Sequence, residues 1–205
     1  MPRKRLEILL SKTAGFPTPS PKAEQYEVSD IVAATMVFTA ATYGDIEDRI
    51  VYDLGCGPGR LSIAAALLGA KHVYAVDIDT KVLKVAERNA QKLDVHNQIE
   101  FITQDVETLT GKADTVVMNA PFGVQKPHAD QPFLEKALEI SNVVYSLHKA
   151  SKGGQKFIAD FVSTLGGCIS FVQEMTMALP ATMRFHGKRR HMINVDFYRI
   201  EKWRM

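Results

Sequence analysis

The chain is poor in cysteine and has no long apolar run. Cys56 and Cys168 are its only cysteines, too few for a disulfide framework and without the paired spacing of a zinc site, so we expect no structural metal. No stretch approaches the roughly 20 apolar residues that a membrane helix needs, and the amino terminus lacks the apolar block of a secretory signal. These absences predict a cytoplasmic protein that does not insert into a membrane.

The length and composition suit a single core. A chain of 205 residues with 46% hydrophobic content can bury one substantial core and is too short for two. We expect one domain over residues 29–205, preceded by an arm over residues 1–28. Three closely spaced prolines, Pro17, Pro19 and Pro21, favour extended backbone in that arm.

Five short apolar runs rich in β-branched residues alternate with stretches of helical character. The runs are Ile50–Leu54, His72–Val76, Ile99–Ile102, Thr115–Met118 and Val143–Leu147. Strands that are apolar on consecutive positions are buried on both faces, as in a parallel sheet covered by helices. Two further candidates, Cys168–Met177 and Met192–Ile200, would add an antiparallel terminal hairpin. We therefore predict an α/β domain with a seven-stranded, mostly parallel sheet, and a buried helix from Ser29 to about Tyr43 before its first strand.

The net charge is only +2, but cations are grouped at both ends of the chain. The two groups are Arg3, Lys4, Arg5 and Lys12 near the amino end, and Arg184, Lys188, Arg189, Arg190, Arg199, Lys202 and Arg204 near the carboxyl end. If both groups lie on one face, they would neutralise the phosphates of a nucleic acid. An ordinary solvated face explains the charge equally well.

The first predicted strand runs into a glycine-rich turn, and Asp53 lies just before that turn. Gly55 and Gly57 would let the main chain approach a ligand closely, because glycine has no side chain in the way. The dinucleotide fingerprint requires glycine at position 60, where Arg60 stands, so a pyrophosphate cradle of that type is excluded. S-adenosylmethionine has no phosphate but carries an ammonium group, which Asp53 is placed to hold directly or through water.

Acidic residues also end the next two predicted strands. Asp77 is placed to accept both ribose hydroxyls of a nucleoside. Asp105 is placed to accept the adenine amine, with Val106 packing on the ring. Each acid alone is equally well explained as a helix cap. Their recurrence at successive strand ends favours a nucleoside site.

The fourth predicted strand runs into Asn119-Ala-Pro-Phe-Gly. An aromatic amine is a poor nucleophile, because its lone pair is delocalised into the ring. The amide oxygen of Asn119 and a backbone carbonyl beside Pro121 would accept its two hydrogens and free the lone pair. Phe122 offers a ring on which an unstacked base can stack. We predict that these three residues are catalytic and assign no general base; of the histidines, only His128 and His148 lie near the motif in sequence.

These residues resemble those of the class I S-adenosylmethionine-dependent methyltransferases, and the Asn119 motif resembles the Asn-Pro-Pro-Phe/Tyr motif of members that methylate amines. Ala120 departs from the usual proline. Along nearly the whole chain the sequence resembles the methyltransferase-like 5 group. The matching segments are Glu24-Gln25-Tyr26, Asp53-Leu-Gly-Cys-Gly57, Asn119-x-Pro-Phe-Gly123, Tyr145-Ser-Leu-His-Lys149, and Leu179-Pro-Ala181 with Phe185-His186.

The resemblance implies a Rossmann-like class I fold, S-adenosylmethionine as cofactor, and formation of 6-methyladenosine in small-subunit ribosomal RNA. It also implies a small zinc-binding activator protein as partner, and an arm whose Gln25 and Tyr26 cover the cofactor. Two alternatives remain open on the sequence alone. One is an enzyme that methylates a glutamine amide in protein, which the same motif serves; the other is a non-catalytic RNA-binding protein of ribosome assembly.

Overall fold

One seven-stranded sheet organises the protein. The computed structural model describes residues 1–16, 26–122, 128–179 and 191–203. The strands are β1 Ile50–Leu54, β2 His72–Asp77, β3 Ile99–Thr103, β4 Thr115–Met118, β5 Val143–Lys149, β6 Gly167–Leu179 and β7 His191–Lys202. They lie in the order β3-β2-β1-β4-β5-β7-β6. Strands β1 to β5 pair in parallel, whereas β7 pairs antiparallel with β5 and β6. The predicted mostly parallel sheet with an antiparallel terminal hairpin is confirmed.

Helices cover both faces of this sheet. They are α1 Arg3–Leu10, α2 Asp30–Thr42, α3 Arg60–Leu67, α4 Thr80–Lys92, α5 Gln131–Ile140 and α6 Gly154–Thr164. Side chains of α1 to α4 pack in one apolar cluster, and those of α5 and α6 pack in a second. Along β1, Val51 belongs to the first cluster and Leu54 to the second, so the strand is buried on both faces. Within the described ranges, no helix has the length and apolarity needed to cross a membrane.

Several strands extend beyond their predicted ends. Strand β5 continues for two residues past Leu147, because His148 and Lys149 still pair with Asp196 and Val195 of β7. The ladder joins main-chain groups, so polar side chains do not end it. Strand β4 has the predicted bounds. Helix α2 also begins as expected, since the Ser29 side chain accepts a hydrogen bond from Val32 N at 3.2 Å.

Helix α1 was not predicted from the sequence. The helix is only eight residues long and has no side-chain hydrogen bond at its N-cap, so its local signal is weak and tertiary packing must stabilise it. Leu6 and Leu10 supply that packing, because both are fully buried in the core that α2 shares. Residues 3–10 therefore pack with the domain, and an arm over residues 1–28 stays a prediction for the stretch that follows α1.

The two members of the carboxyl-terminal basic group that the structure describes, Arg199 and Lys202, bind partners within the fold. Arg199 is only 7% exposed, and its Nε donates to Asp45 Oδ2 at 3.0 Å and to Tyr145 Oη at 2.9 Å. Lys202 donates to the carbonyl of Leu138. These two cations therefore fasten β7 to its neighbours. The rest of the group, Arg184, Lys188, Arg189, Arg190 and Arg204, lies outside the described residues.

Candidate active site

A cavity of about 310 Å³ opens at the carboxyl ends of the parallel strands. Its lining includes these sequence-predicted residues: Tyr26, Asp53, Gly55, Gly57, Asp77, Asp105, Val106, Asn119 and Pro121. Gln25 lies outside the described residues, and Phe122 lines a neighbouring cavity. Ligand pockets begin at about 300 Å³, so the space suits a ligand of nucleoside size.

The glycine turn after β1 brings bare main chain to the cavity wall. Gly55 and Gly57 have φ angles of 68° and 54°, which other residues rarely adopt. A Cβ atom at Gly57 would lie 2.9 Å from the Phe16 ring, and one at Gly55 would lie 3.0 Å from the Phe133 ring. Both positions therefore require glycine for conformation and for space.

Asp53 lies at the end of β1 and is 1% exposed. Its Oδ2 accepts hydrogen bonds from the main-chain N and the hydroxyl of Ser62, whereas its Oδ1 is buried without a hydrogen-bond partner in the described part of the chain. Burial raises the pKa of Asp53 to about 7, against the two Ser62 hydrogen bonds and with a smaller contribution from Asp77. A buried carboxylate oxygen with no donor suits a cationic ligand group.

The Asp53 carboxyl predicts a pH dependence of stability in the ligand-free protein. Folding raises its pKa from an ordinary 3.8 to about 7, so the stabilisation is full below pH ~4 and is lost as the pH rises to ~7. A difference of this size corresponds to about 4 kcal/mol. Urea unfolding at pH ~4.5 and ~7.5 should show about 3 kcal/mol of this fall in the wild type and much less of it in Asp53→Asn. Equal falls in the two proteins would contradict the assignment.

Asp77 and Asp105 line the cavity and also accept hydrogen bonds from main-chain N–H groups. Asp77 accepts from Gly57 N and Asp79 N, both at 2.9 Å, and burial raises its pKa against these hydrogen bonds. Asp105 caps a short 3-10 helix over residues 106–108 by accepting from Glu107 N at 2.9 Å. Carboxylate oxygens have further lone pairs, so both residues can also accept from a ligand.

Asn119 follows β4 with its amide held in one orientation. Its Nδ2 donates to the main-chain oxygen of Tyr26 at 2.8 Å. Because a carbonyl oxygen only accepts, the amide nitrogen must face Tyr26. Its Oδ1 is buried and has no partner among the residues that the structure places. Phe122 stacks on the Tyr26 ring at 5.8 Å and 17°, so the segment before α2 contacts the predicted catalytic motif twice.

Arg60 anchors that segment, which the sequence analysis did not foresee. Its Nη1 donates to Val28 O, its Nη2 pairs with Glu27 Oε1, and its Nε donates to Thr13 Oγ1 at 3.0 Å. In the sequence, Arg60 served only to exclude a dinucleotide fingerprint. The sequence signal that could have revealed this role was an arginine at the first turn of a helix that follows a glycine turn.

Asn89 forms a second unforeseen link. It is buried in α4, exchanges two hydrogen bonds with the main chain of Ala14, and donates to Pro58 O at 3.0 Å. A lone polar residue on the apolar face of an amphipathic helix was the sequence signal. Together Arg60 and Asn89 hold residues near 13–14 and 27–28 against the glycine turn.

The sequence and the fold of this chain are similar to those of known methyltransferases. The model of the family described as ribosomal protein L11 methyltransferase (PrmA) matches residues 36–121. The rRNA N(6)-adenosine-methyltransferase METTL5 of Danio rerio is 36% identical over 98% of this chain and 99% of its own length. The Drosophila melanogaster enzyme of the same name is 35% identical, over 97% and 95%. The crystal structure of a candidate RNA methyltransferase from Pyrococcus horikoshii is 39% identical, with a TM-score of 0.92 over 98% of both chains.

Proposed function

This chain belongs to the METTL5 family of rRNA N6-adenosine methyltransferases, and from that premise we propose that it transfers a methyl group from S-adenosylmethionine to N6 of an adenosine in small-subunit ribosomal RNA. The observation that carries the proposal is Asn119. Its amide nitrogen is engaged by Tyr26, its Oδ1 is buried without a hydrogen-bond partner among the described residues, and the residue lines the cavity that Asp53 and Asp77 also line. One acceptor thus lies beside a site suited to a charged nucleoside.

The cavity residues fit S-adenosylmethionine. Oδ1 of Asp53, which has no hydrogen-bond partner within the described ranges, would be a counter-charge for its ammonium group, and Asp77 would accept from its ribose hydroxyls. Asp105 and Val106 also line the cavity and would contact the adenine, and Gly55 and Gly57 form part of its wall. When bound, this cofactor supplies an electrophilic methyl carbon on a sulfonium.

The Asn119 motif prepares the target amine. Oδ1 of Asn119 accepts one amine hydrogen, and a backbone carbonyl beside Pro121 accepts the other, so the nitrogen becomes pyramidal and its lone pair is localised. Phe122 supports the base that has left its stack. Bulk solvent takes the proton after transfer, because a methylated, ammonium-like amine is acidic enough to lose it. Tyr26 acts as a positioning residue, since its carbonyl fixes the orientation of the amide.

The extent of each similarity favours RNA over protein as the substrate. The protein-methyltransferase family matches only residues 36–121, which run from α2 to the catalytic motif and contain the glycine turn. The similarity to the rRNA enzymes covers 97–98% of the chain and so includes the β5 to β7 region. We also propose a small zinc-binding activator protein as a partner, because the sequence resembles the methyltransferase-like 5 group.

Methyl transfer into purified ribosomal components tests the substrate. Small-subunit RNA, large-subunit RNA and ribosomal proteins are each incubated with the enzyme and tritiated S-adenosylmethionine, with and without a co-expressed activator. We expect tritium in 6-methyladenosine from small-subunit RNA and none above the Asn119→Ala background in the other two. Label in the large-subunit RNA, or in glutamine of a protein, would contradict the proposed substrate.

A further inference from the structure

A second cavity of about 260 Å³ adjoins the catalytic motif. Phe122 is one wall of it, whereas Asn119 lines the first cavity. The two cavities are therefore reached from neighbouring residues of one motif. Because Phe122 is the ring proposed to support the target base, that base lies where the two cavities meet, and the strand that carries it must pass close to the rest of the second cavity.

Aromatic surface is available in the second cavity. Phe157, in the first turn of α6, lines it and is 41% exposed. Its ring lies 5.4 Å from the His128 ring and stacks parallel to Phe161 at 6.4 Å. Exposed aromatic rings are the platforms on which unpaired bases stack in single-stranded nucleic acid complexes.

The charges of this cavity suit an anion. Lys149, at the end of β5, is exposed and has no ion pair or side-chain hydrogen bond within the described ranges. The carboxylate in the lining, Asp130, is occupied by His148, whose Nδ1 lies 3.0 Å from its Oδ2 and whose Nε2 lies 3.1 Å from Ser146 Oγ. One cation is therefore available to a ligand, and the carboxylate is already hydrogen-bonded.

We propose that the second cavity binds the nucleotide adjoining the target adenosine, with its base on Phe157 and its phosphate at Lys149. The proposal rests on the proposed function, because it assigns a second site for the same RNA strand. In this proposal Phe157 and Lys149 determine the affinity for RNA, and neither residue touches the reacting atoms. Stacking and a phosphate contact together would hold the strand while the target base turns into the first cavity.

Short single-stranded RNAs test this site. Each contains one adenosine among uridines, and two versions carry an abasic nucleotide immediately 5′ or 3′ of it. Fluorescence anisotropy gives the Kd for wild type, Phe157→Leu, Phe157→Tyr and Lys149→Met. Lys156→Met is the control, since this lysine pairs with Asp160 on the surface of the same helix.

The abasic substitution on one side should weaken wild-type binding about tenfold, because it removes one stacked base. The same substitution should have almost no effect on Phe157→Leu and the full effect on Phe157→Tyr, which keeps the ring. Lys149→Met should lower the salt dependence of binding by about one phosphate contact, and Lys156→Met should not. Methylation of the same RNAs should show these changes in KM for RNA, with KM for S-adenosylmethionine unchanged.

Wild-type binding that is insensitive to both abasic positions would overturn the proposal, as would full sensitivity in Phe157→Leu. Binding and turnover separate this proposal from the proposed function. If the wild type senses one abasic position but methylates neither these RNAs nor ribosomal RNA, the nucleotide site stands and the assigned activity is wrong. If it methylates RNA but ignores the abasic positions, only the second site is wrong.

Discussion

Asn119→Ala should lower the rate of methyl transfer by about 1000-fold, the upper range for loss of one preorganised hydrogen-bonding group, and should change the affinity for S-adenosylmethionine much less. The variant loses the acceptor that localises the lone pair of the amine. It keeps Asp53 and the glycine turn, which are placed for the cofactor. Single-turnover transfer of a tritiated methyl group measures the first effect, and titration calorimetry measures the second.

Two further variants make this result specific. Asn119→Asp retains an oxygen acceptor but lacks the amide hydrogens that bond to Tyr26 O, so its rate should fall between those of the wild type and Asn119→Ala. Asn97→Ala, on an exposed turn before β3, should behave as the wild type. Equal losses of transfer and of cofactor affinity in Asn119→Ala would refute the assigned role.

Arg60→Met should destabilise the protein by about 3 kcal/mol, the lower range for removing one partner of a buried ion pair. The substitution leaves Glu27 without its cation and breaks the hydrogen bonds to Val28 O and Thr13 Oγ1. Because the released segment contains Tyr26, affinity for S-adenosylmethionine and the rate of transfer should also fall, each about tenfold or more. Urea unfolding, calorimetry and single-turnover kinetics measure these three quantities.

The matched control is Arg88→Met. Arg88 is an arginine of α4 whose Nε donates only to the carbonyl of Lys84, one turn earlier in the same helix. Its loss should change stability by less than about 0.5 kcal/mol, as is usual for surface substitutions. If Arg60→Met and Arg88→Met unfold at the same urea concentration, Arg60 does not anchor the segment.

The catalytic motif depends on contacts between distant parts of the chain. Tyr26 and Asn119 are 93 residues apart in sequence and share a hydrogen bond. Arg60 then ties Tyr26's neighbours to the first turn of α3. The segment around Tyr26, which lines the first cavity, therefore also sets the orientation of the Asn119 amide. We expect cofactor binding and catalysis to respond together when this segment is released, and separately when Asn119 alone is changed.

Much of the cavity lining could be predicted because of one property of parallel sheets. Their strands end at the same edge, so residues at or just after the ends of β1, β2, β3 and β4 come together whatever the helices between them contain. Asp53, Asp77, Asp105 and Asn119 could each be found from the end of an apolar run. Their placement in one cavity followed from the alternation of strands and helices.

The sequence by itself determined the mostly parallel sheet with its antiparallel terminal hairpin, the glycine turn and the residues at the strand ends, since these depend on local patterns of burial and on backbone geometry. Only the tertiary structure decided that α1 packs into the core, that Arg60 and Asn89 hold the amino-terminal segment, and that Arg199 is buried. Each of these depends on a partner far away in the chain; Arg199 and Asp45 are 154 residues apart. A local pattern cannot reveal such a partner, because the free energy that fixes the residue is gained only when the two segments meet.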